Sequence, residues 1–232
     1  MIQINNYLAL IPARKNSKRI INKNILKING KKVVEYTIKA ALNSKKINHT
    51  IISTDSKVIL NMRKHFNASF IKRPKHLALA KSSTEDVIID IIKKLNQKKI
   101  KFKNIVLLQP TSPLRNYKHI DQCIKIFEQK KLDSIFSACK KKIFVWEKRK
   151  KNLNSITFNY KKRQRTQTMR NFFIENGAIF IFSVQKFLKY KRRIFGKFGI
   201  YEMKYLDSFD LDDNEDLEII KLIMRKNEKK FI

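Results

Sequence analysis

Two groups of charged residues in this 232-residue chain have the types and spacing to act on a phosphorylated substrate. The first is a cationic loop, residues 14–23, which directly follows an apolar run at 8–11. Its five cations are Arg14, Lys15, Lys18, Arg19 and Lys23. In α/β proteins, a buried strand that opens into a basic loop presents positive charge to a phosphate at the carboxyl end of that strand. We therefore take this loop as a candidate phosphate site.

The second group is an acidic segment, in which seven of the nineteen Asp and Glu residues lie between positions 207 and 218. Asp210 and Asp212 flank Leu211, so on an extended segment their side chains point to the same side. Mg²⁺ is usually held by one or two carboxylates together with substrate phosphates. Acids that begin a helix also interact well with its dipole, which explains the later acids but not Asp210 and Asp212. We predict that these two residues bind Mg²⁺.

A basic loop and a pair of carboxylates together indicate nucleotidyl transfer. The cations would hold a triphosphate and offset charge on the departing pyrophosphate, while the acids hold the metal. The loop has no glycine and lacks the GxxxxGK[ST] pattern, which disfavours a P-loop kinase or ATPase. The GxGxxG pattern is also missing from the sequence, which argues against a dinucleotide-binding oxidoreductase.

The elements that must position these residues alternate between strand and helix in the first half of the chain. Apolar strands are predicted at 8–11, 50–53, 69–71 and 104–108, and helices at 33–43, 57–66, 85–97 and 117–130. This alternation predicts the α/β class, with a mostly parallel sheet covered by helices on both faces. Because no linker divides the chain, we expect one domain, residues 1–232.

The rhythm changes after a predicted strand at 134–138. Residues from about 140 to 170 are basic and aromatic, contain no glycine or proline, and show little helical period. We predict a β-rich excursion that is either a lid over the site or a dimerisation arm, since Trp, Tyr and Arg are typical of interfaces. A hairpin packed on its own domain is an alternative. A strand at 178–182 and helices at 187–193 and 214–225 follow.

Composition limits the other possibilities. The net charge of +34 first suggests a nucleic-acid-binding protein. Lysine is spread along the whole sequence, however, which favours a compositional bias, and we expect no specific nucleic-acid partner. Cys123 and Cys139 lack metal-site spacing and fit a reducing cytoplasm. The sequence has no apolar run near the ~20 residues of a membrane helix, so we expect no membrane association.

Seven motifs, in order, resemble those of the acylneuraminate cytidylyltransferases. They are IPARKNSKRIINKN (11–24), STDS (53–56), RPKHLA (73–78), SSTEDVI (82–88), LLQPTSPLR (107–115), FIENGAIFIF (173–182) and DSFDLDD (207–213). Two further stretches, WE (146–147) and NYKKRQRTQTM (159–169), resemble the bacterial branch of the family, which includes legionaminic and pseudaminic acid enzymes. The resemblance implies a Rossmann-like nucleotide-diphospho-sugar transferase fold, Mg²⁺ and a homodimer. It also implies a reaction in which CTP and a nine-carbon, sialic-type sugar acid give CMP-sugar and pyrophosphate.

The resemblance also assigns roles to individual positions. Arg14 and Lys23 match catalytic cations that stabilise the transition state, and Asp210 and Asp212 match the metal ligands. Positions that match nucleotide-binding residues are Arg14, Lys18, Asn24, Arg73 and Ser83. Positions that match sugar-acid-binding residues are Gln109, Arg165 and Asn176, of which Arg165 could meet a carboxylate through charge-assisted hydrogen bonds.

The chain departs from the family pattern within the cationic loop. Lys15 and Asn16 replace two glycines, and glycine allows positive φ and a close approach of the backbone to phosphate. These replacements predict a reshaped or weakened nucleotide site, and a catalytically decayed relative remains an alternative function. A related CMP-Kdo synthetase is disfavoured because Asn24 follows Lys23.

Overall fold

The computed structural model describes residues 3–17 and 19–226. The strands are β1 (Gln3–Pro12), β2 (Lys27–Ile28), β3 (Lys31–Lys32), β4 (His49–Thr54), β5 (Ser69–Lys72), β6 (Ile100–Leu108), β7 (Ser134–Lys141), β8 (Trp146–Arg149), β9 (Asn152–Ser155), β10 (Phe172–Ser183) and β11 (Phe198–Met203). The α-helices are α1 (Val33–Leu42), α2 (Lys57–Asn61), α3 (Thr84–Gln97), α4 (Tyr117–Gln129), α5 (Val184–Tyr190) and α6 (Asn214–Lys226).

Seven strands form the central sheet in the order β11-β7-β10-β6-β1-β4-β5. All neighbouring strands are parallel except β10, which runs antiparallel to both β6 and β7. The central strands β1 and β6 carry near-continuous apolar runs because helices cover both of their faces. The predicted α/β class with a mostly parallel sheet is confirmed.

Two apolar cores cover the two faces of the sheet, and a third anchors the functional loops. On one face α1 and α4 pack against the sheet, and on the other face α3 and α5 do so. The third cluster joins α6 to the cationic loop and to the acidic segment, with Ile20, Leu211 and Met224 all buried. This small core brings the acidic segment against the loop, although almost 190 residues separate Lys23 from Leu211.

Two predicted helices differ from the structure, and one strand of the central sheet was not predicted. The helix predicted at 57–66 ends at Asn61 and continues as a 3₁₀ turn, because Ile59 is the one buried residue in α2 and little packing stabilises a longer helix. The helix predicted at 187–193 is α5, which spans 184–190. β11 was not predicted, since an edge strand that buries only alternate residues has a weak apolar signal.

The excursion connects β7 to β10, which are adjacent antiparallel strands. It contains the β8–β9 hairpin and an aromatic cluster in which Phe158 packs edge-on against Phe144 and Trp146. The guanidinium of Arg163 lies 4.0 Å from the ring centre of Phe144. Within the described residues, no helix has the length and apolarity needed to cross a membrane.

Candidate active site

A cavity of about 410 Å³ lies at the carboxyl ends of β1 and β6. These strands are parallel neighbours, so the residues that follow Pro12 and Leu108 emerge at the same edge of the sheet. The residues that line it are Pro12, Arg14, Ser17, Arg19, Lys23, Asn24, Arg73, Leu77, Leu79, Ala80, Ser82, Ser83, Thr84, Val87, Gln109, Pro110, Thr111 and Asp212. We call this the large cavity, because 18 residues line it.

Arg73 forms one wall of the large cavity and is almost completely buried. Its Nη2 donates to the carbonyl of Ser53 at 2.8 Å, and its Nε donates to the Ser53 hydroxyl at 3.3 Å. Burial lowers the pKa of Arg73 to about 10, while the carboxylate of Asp55 opposes that effect. At neutral pH the guanidinium therefore stays charged, and β4 fixes it at the edge of the cavity.

The loop between β5 and α3 closes the same wall. Arg14 donates from Nη1 to the carbonyl of Leu79 at 3.5 Å, which links the cationic loop to this segment. Ser83 caps α3, because its hydroxyl accepts from the Asp86 N–H at 3.0 Å. This N-cap places the first turn of α3 at the cavity.

Asn24 lines the large cavity and has a buried side-chain acceptor. Its Nδ2 donates to the carbonyl of Arg14 at 2.8 Å, which fixes the orientation of the amide. In the described part of the chain, its Oδ1 has no hydrogen-bond partner. A buried acceptor without a donor costs free energy, so a ligand donor at this position would be favourable.

Asp212 joins the acidic segment to the cationic loop. Its Oδ1 accepts from Lys23 Nζ at 3.1 Å, and its Oδ2 pairs with Arg19 Nη2 at 3.1 Å. Lys23 is buried, and its Nζ also donates to the carbonyl of Leu211. The two regions predicted from the sequence therefore meet at direct ion pairs.

Asp210 lies on the other side of Leu211 and is more deeply enclosed. Its Oδ1 accepts from the Ser112 hydroxyl at 2.9 Å. Burial raises the pKa of Asp210, and the nearby carboxylate of Asp212 adds to the shift, while hydrogen bonds from Thr111 and Ser112 oppose it. The segment is held by the Leu211 N–H, which donates to the Thr111 carbonyl at 2.8 Å. Residues 209–212 are irregular backbone and do not belong to a strand.

A second cavity, of about 450 Å³, lies beyond Asp212. It is lined by Cys139, Ile174, Glu175, Asn176, Gly177, Tyr205, Ser208, Phe209, Asp210, Asp212 and Asp216. We call this the acidic cavity, because four of its lining residues are carboxylates. Asp212 lines both cavities, so a phosphorus atom beside Asp212 would be accessible from both sides.

Asn176 positions the wall of the acidic cavity through its own hydrogen bonds. Its Oδ1 accepts from the Ser137 hydroxyl at 2.6 Å and from the Ala178 N–H at 3.2 Å, and its Nδ2 donates to the Ser208 hydroxyl at 3.0 Å. The register of β10 shifts here, and Gly177 has a φ of 69°. This side chain connects β10 to the turn that precedes Asp210.

The structure gathers most of the predicted site residues into the two cavities. Arg14, Lys23, Asn24, Arg73, Ser83, Gln109 and Asp212 line the large cavity, and Asn176, Asp210 and Asp212 line the acidic one. Gln109, predicted on the sugar side with Asn176, thus shares a cavity with Arg14 and Arg73. Arg165 is exposed and lines neither cavity. Lys18 lies outside the described residues.

The two glycine replacements do not strain the cationic loop. Neither Lys15 nor Asn16 has a positive φ, and the Lys15 N–H donates to Asp55 Oδ1 at 2.6 Å. The loop conformation therefore does not require glycine at either position. The expected effect on nucleotide binding stays a prediction.

Three functional candidates were missed by sequence reasoning. Arg19 was counted as a loop cation but not singled out. Ser112 and Arg115 lie inside the LLQPTSPLR motif, which was the available signal. Arg115 is fully buried, its Nη2 donates to the Thr37 hydroxyl at 2.7 Å and to the Gln109 carbonyl at 3.2 Å, and burial lowers its pKa to about 9. It supports the backbone from which Gln109 projects.

The oxygen-rich chemistry around Asp210 and Asp212 fits a hard cation such as Mg²⁺. Within the described residues, no group of three or more His, Cys, Asp or Glu side chains could hold a metal ion. A cation at this pair would thus take further ligands from water or substrate, as Mg²⁺ commonly does with phosphates.

Comparisons with known proteins bear on the family and the fold of the chain. The Cytidylyltransferase family model matches residues 8–231. The chain is 32% identical over 230 residues to an N-acylneuraminate cytidylyltransferase of Escherichia coli O18:K1:H7, covering 96% of this chain and 53% of that protein. It therefore spans about half the length of that relative. It is 30% identical to the post-translational flagellin modification protein B of Campylobacter coli, covering 94% of this chain and 95% of that protein.

A solved structure of CMP:2-keto-3-deoxy-manno-octonic acid synthetase complexed with CTP has the same fold. The TM-score is 0.71 at 14% sequence identity, over 96% of this chain and all of the other. This likeness confirms the predicted Rossmann-like nucleotidyltransferase fold. The match of the family model over nearly the whole sequence shows that the chain belongs to the cytidylyltransferase family.

Proposed function

We propose that this protein transfers CMP from CTP to a nonulosonic, sialic-type sugar acid and releases pyrophosphate, in a Mg²⁺-dependent reaction. The observation that carries the proposal is the contact between Lys23 and Asp212, which joins a cationic phosphate loop to a carboxylate pair at the large cavity. Two relatives support the substrate class by their names. One is the N-acylneuraminate cytidylyltransferase of E. coli, and the other is a CMP-N,N'-diacetyllegionaminic acid synthase of Legionella pneumophila, which is 38% identical over 120 residues.

In the proposed reaction, the anomeric hydroxyl of the sugar acid attacks the α-phosphorus of CTP. The new bond joins the anomeric oxygen to that phosphorus, the bond to the bridging oxygen of pyrophosphate breaks, and the proton of the hydroxyl is released to solvent. Arg14 and Lys23 offset the negative charge that develops on the departing group, because preorganised donors stabilise charge that grows in the transition state. Mg²⁺ held by Asp210 and Asp212 would neutralise phosphate charge and orient the reacting groups.

The nucleotide would occupy the large cavity. Arg73 and Ser83 line the wall that would face the cytidine, and the unpartnered Oδ1 of Asn24 would accept from a donor on the nucleotide. We assign Lys18 to the phosphates only by its motif position.

The sugar acid would bind in the acidic cavity, although the negative charge of that cavity would repel a carboxylate. The cavity is bordered by Glu175, Asp210, Asp212 and Asp216, and within the described residues no Lys or Arg lines it. A sugar carboxylate would be repelled there unless cations are supplied. We propose that a homodimer supplies them, with the excursion of one subunit bringing Arg165 to the acidic cavity of its partner.

The excursion has the properties of such an arm. Residues 140–170 contain twelve Lys and Arg against one Glu, and the side chains of Trp146, Leu153, Ile156 and Tyr160 are about half exposed or more. Aromatic anchors with Arg are typical of interfaces. We also propose that residues 1–232 form one domain that includes the excursion, and that the protein acts in the cytoplasm.

A substrate panel tests the proposal. CTP and Mg²⁺ are incubated with sialic, legionaminic, pseudaminic and Kdo acids, while pyrophosphate release and the mass of the CMP-sugar are measured. We expect turnover with at least one nine-carbon acid, loss of turnover when EDTA is added, and loss in Asp212→Ala. Failure of every acid to give a CMP-sugar, with folded protein, would contradict the proposed function, and unchanged activity of Asp212→Ala would contradict the metal assignment.

A further inference from the structure

The carboxylate of Asp212 is paired with a different cation on each oxygen. Lys23 contacts Oδ1 and Arg19 contacts Oδ2, both at 3.1 Å. The two cations differ in their surroundings, since the Lys23 side chain is 9% exposed and the Arg19 side chain is 65% exposed. The two oxygens of this carboxylate are therefore not equally available to a metal ion.

Lys23 is fixed in place. Its ammonium group also donates to the Leu211 carbonyl, and moving a buried lysine away from two acceptors would leave both without a donor. Arg19 is free to leave at little cost, because an exposed pair of this kind contributes only about 0.2–1 kcal/mol. A divalent cation would thus reach Asp212 through Oδ2, the oxygen that Arg19 now occupies.

We propose that Arg19 is an exchangeable counter-ion: it occupies the metal-facing oxygen of Asp212 until a divalent cation displaces it, and then it binds the triphosphate. This inference rests on the proposed function, which assigns the metal to Asp210 and Asp212. Arg19 already lines the large cavity, as do Arg14 and Lys23, so its guanidinium could turn toward a triphosphate bound there. Its planar fork suits phosphate oxygens, which can accept two parallel hydrogen bonds from it.

The exchange predicts that Arg19 weakens metal binding and strengthens nucleotide binding. Without CTP, Arg19 competes with the cation for one oxygen, so removal of the guanidinium should tighten metal binding. With CTP bound, the same side chain contacts phosphate, so its removal should weaken nucleotide binding. A residue with a merely structural role would not change the two affinities in opposite directions.

The predicted effect on metal binding is tested by titration with Mn²⁺ alone. Binding is measured as the loss of the electron paramagnetic resonance signal of unbound Mn²⁺. We expect Arg19→Gln to bind Mn²⁺ about two- to fivefold more tightly than the wild type, the factor that corresponds to an exposed ion pair. Arg19→Lys, which keeps the charge, should bind close to the wild type. Lys15→Gln removes a charge from the same loop, and Lys15 contacts Asp55 through its backbone, so it should give a smaller change.

The second half is tested by the KM for CTP, which should rise in Arg19→Gln and less in Lys15→Gln. Equal Mn²⁺ affinities for Arg19→Gln and Lys15→Gln would overturn the inference. Asp212→Asn separates this failure from failure of the metal assignment. If Asp212→Asn loses Mn²⁺ while Arg19→Gln behaves as its control, only the role of Arg19 is wrong. If Asp212→Asn binds Mn²⁺ as the wild type does, or if no form binds it saturably, the metal assignment and the inference both fail.

Discussion

Replacement of Lys23 by methionine removes the cation that connects the loop to the acidic segment. Methionine is similar in length to the aliphatic stem of lysine, but it has no ammonium group and cannot donate a hydrogen bond. Two acceptors lose their partner, namely the Leu211 carbonyl and Oδ1 of Asp212. Arg19 still pairs with Oδ2 of Asp212, so the carboxylate keeps one cation and the main structural loss falls on the buried carbonyl.

The cost follows from that count of lost donors. A buried acceptor without a donor costs about 1–3 kcal/mol. For a chain of this size, about 1 kcal/mol shifts Tm by about 2–4 °C, so Lys23→Met should lower Tm by about 2–12 °C. Activity should fall much further, because removal of one preorganised donor to transition-state charge costs about 10²–10³ in kcat.

The assay compares pyrophosphate release at saturating CTP with the thermal midpoint of the same preparations. Lys46→Met is the matched control, because Lys46 pairs with Glu128 at the same distance, 3.1 Å, but both side chains are nearly half exposed. It should cost at most about 1 kcal/mol and leave kcat unchanged. A folded Lys23→Met protein with kcat within tenfold of the wild type would refute the catalytic role of this lysine.

Three further predictions concern other parts of the site. Burial raises the pKa of Asp210 in the folded state, so the folded protein loses stability as pH rises from the unfolded pKa of about 4 toward the raised folded pKa. Asp210→Asn should therefore raise Tm at pH 7, and the gain should vanish near pH 4, as measured by differential scanning calorimetry. Ser83→Ala should cost about 1 kcal/mol in urea unfolding through loss of the α3 cap and should also raise the KM for CTP. If Arg165 acts across a two-fold dimer, equal mixing of Asp212→Ala and Arg165→Ala subunits should restore about a quarter of wild-type activity, whereas a same-chain role predicts no recovery.

The sheet and the edge that carries the site could be predicted because their causes are local. The apolar runs that became β1 and β6 end at residues that stop a strand, Pro12 and Gln109-Pro110. Parallel strands that are neighbours share a carboxyl edge, so the cations after β1 and the Gln after β6 had to approach one another. The amphipathic period of α3 and its cap likewise depend on a few consecutive residues.

The pairings across the site could not be predicted, because they depend on how distant loops are held. No local pattern indicates that Arg19 will contact Asp212, or that the Thr111 carbonyl will accept from Leu211, since about 100 or more residues separate each pair. The location of Arg165 outside both cavities could not be predicted for the same reason. Its position on an exposed excursion depends on what that excursion packs against, which motif matching does not encode.

Leu211 explains how two carboxylates can be placed beside each other at a site where burial disfavours their charge. Its side chain is completely buried in the cluster that includes α6, its N–H donates to Thr111, and its carbonyl accepts from Lys23. Both backbone polar groups of Leu211 are therefore hydrogen-bonded, which fixes the backbone from which the two flanking carboxylates project. The apolar burial of one side chain, typically about 1.5–3 kcal/mol, offsets part of the cost of bringing the two acids together. The alternation of acid, leucine and acid is thus a positioning device as well as a ligand pattern.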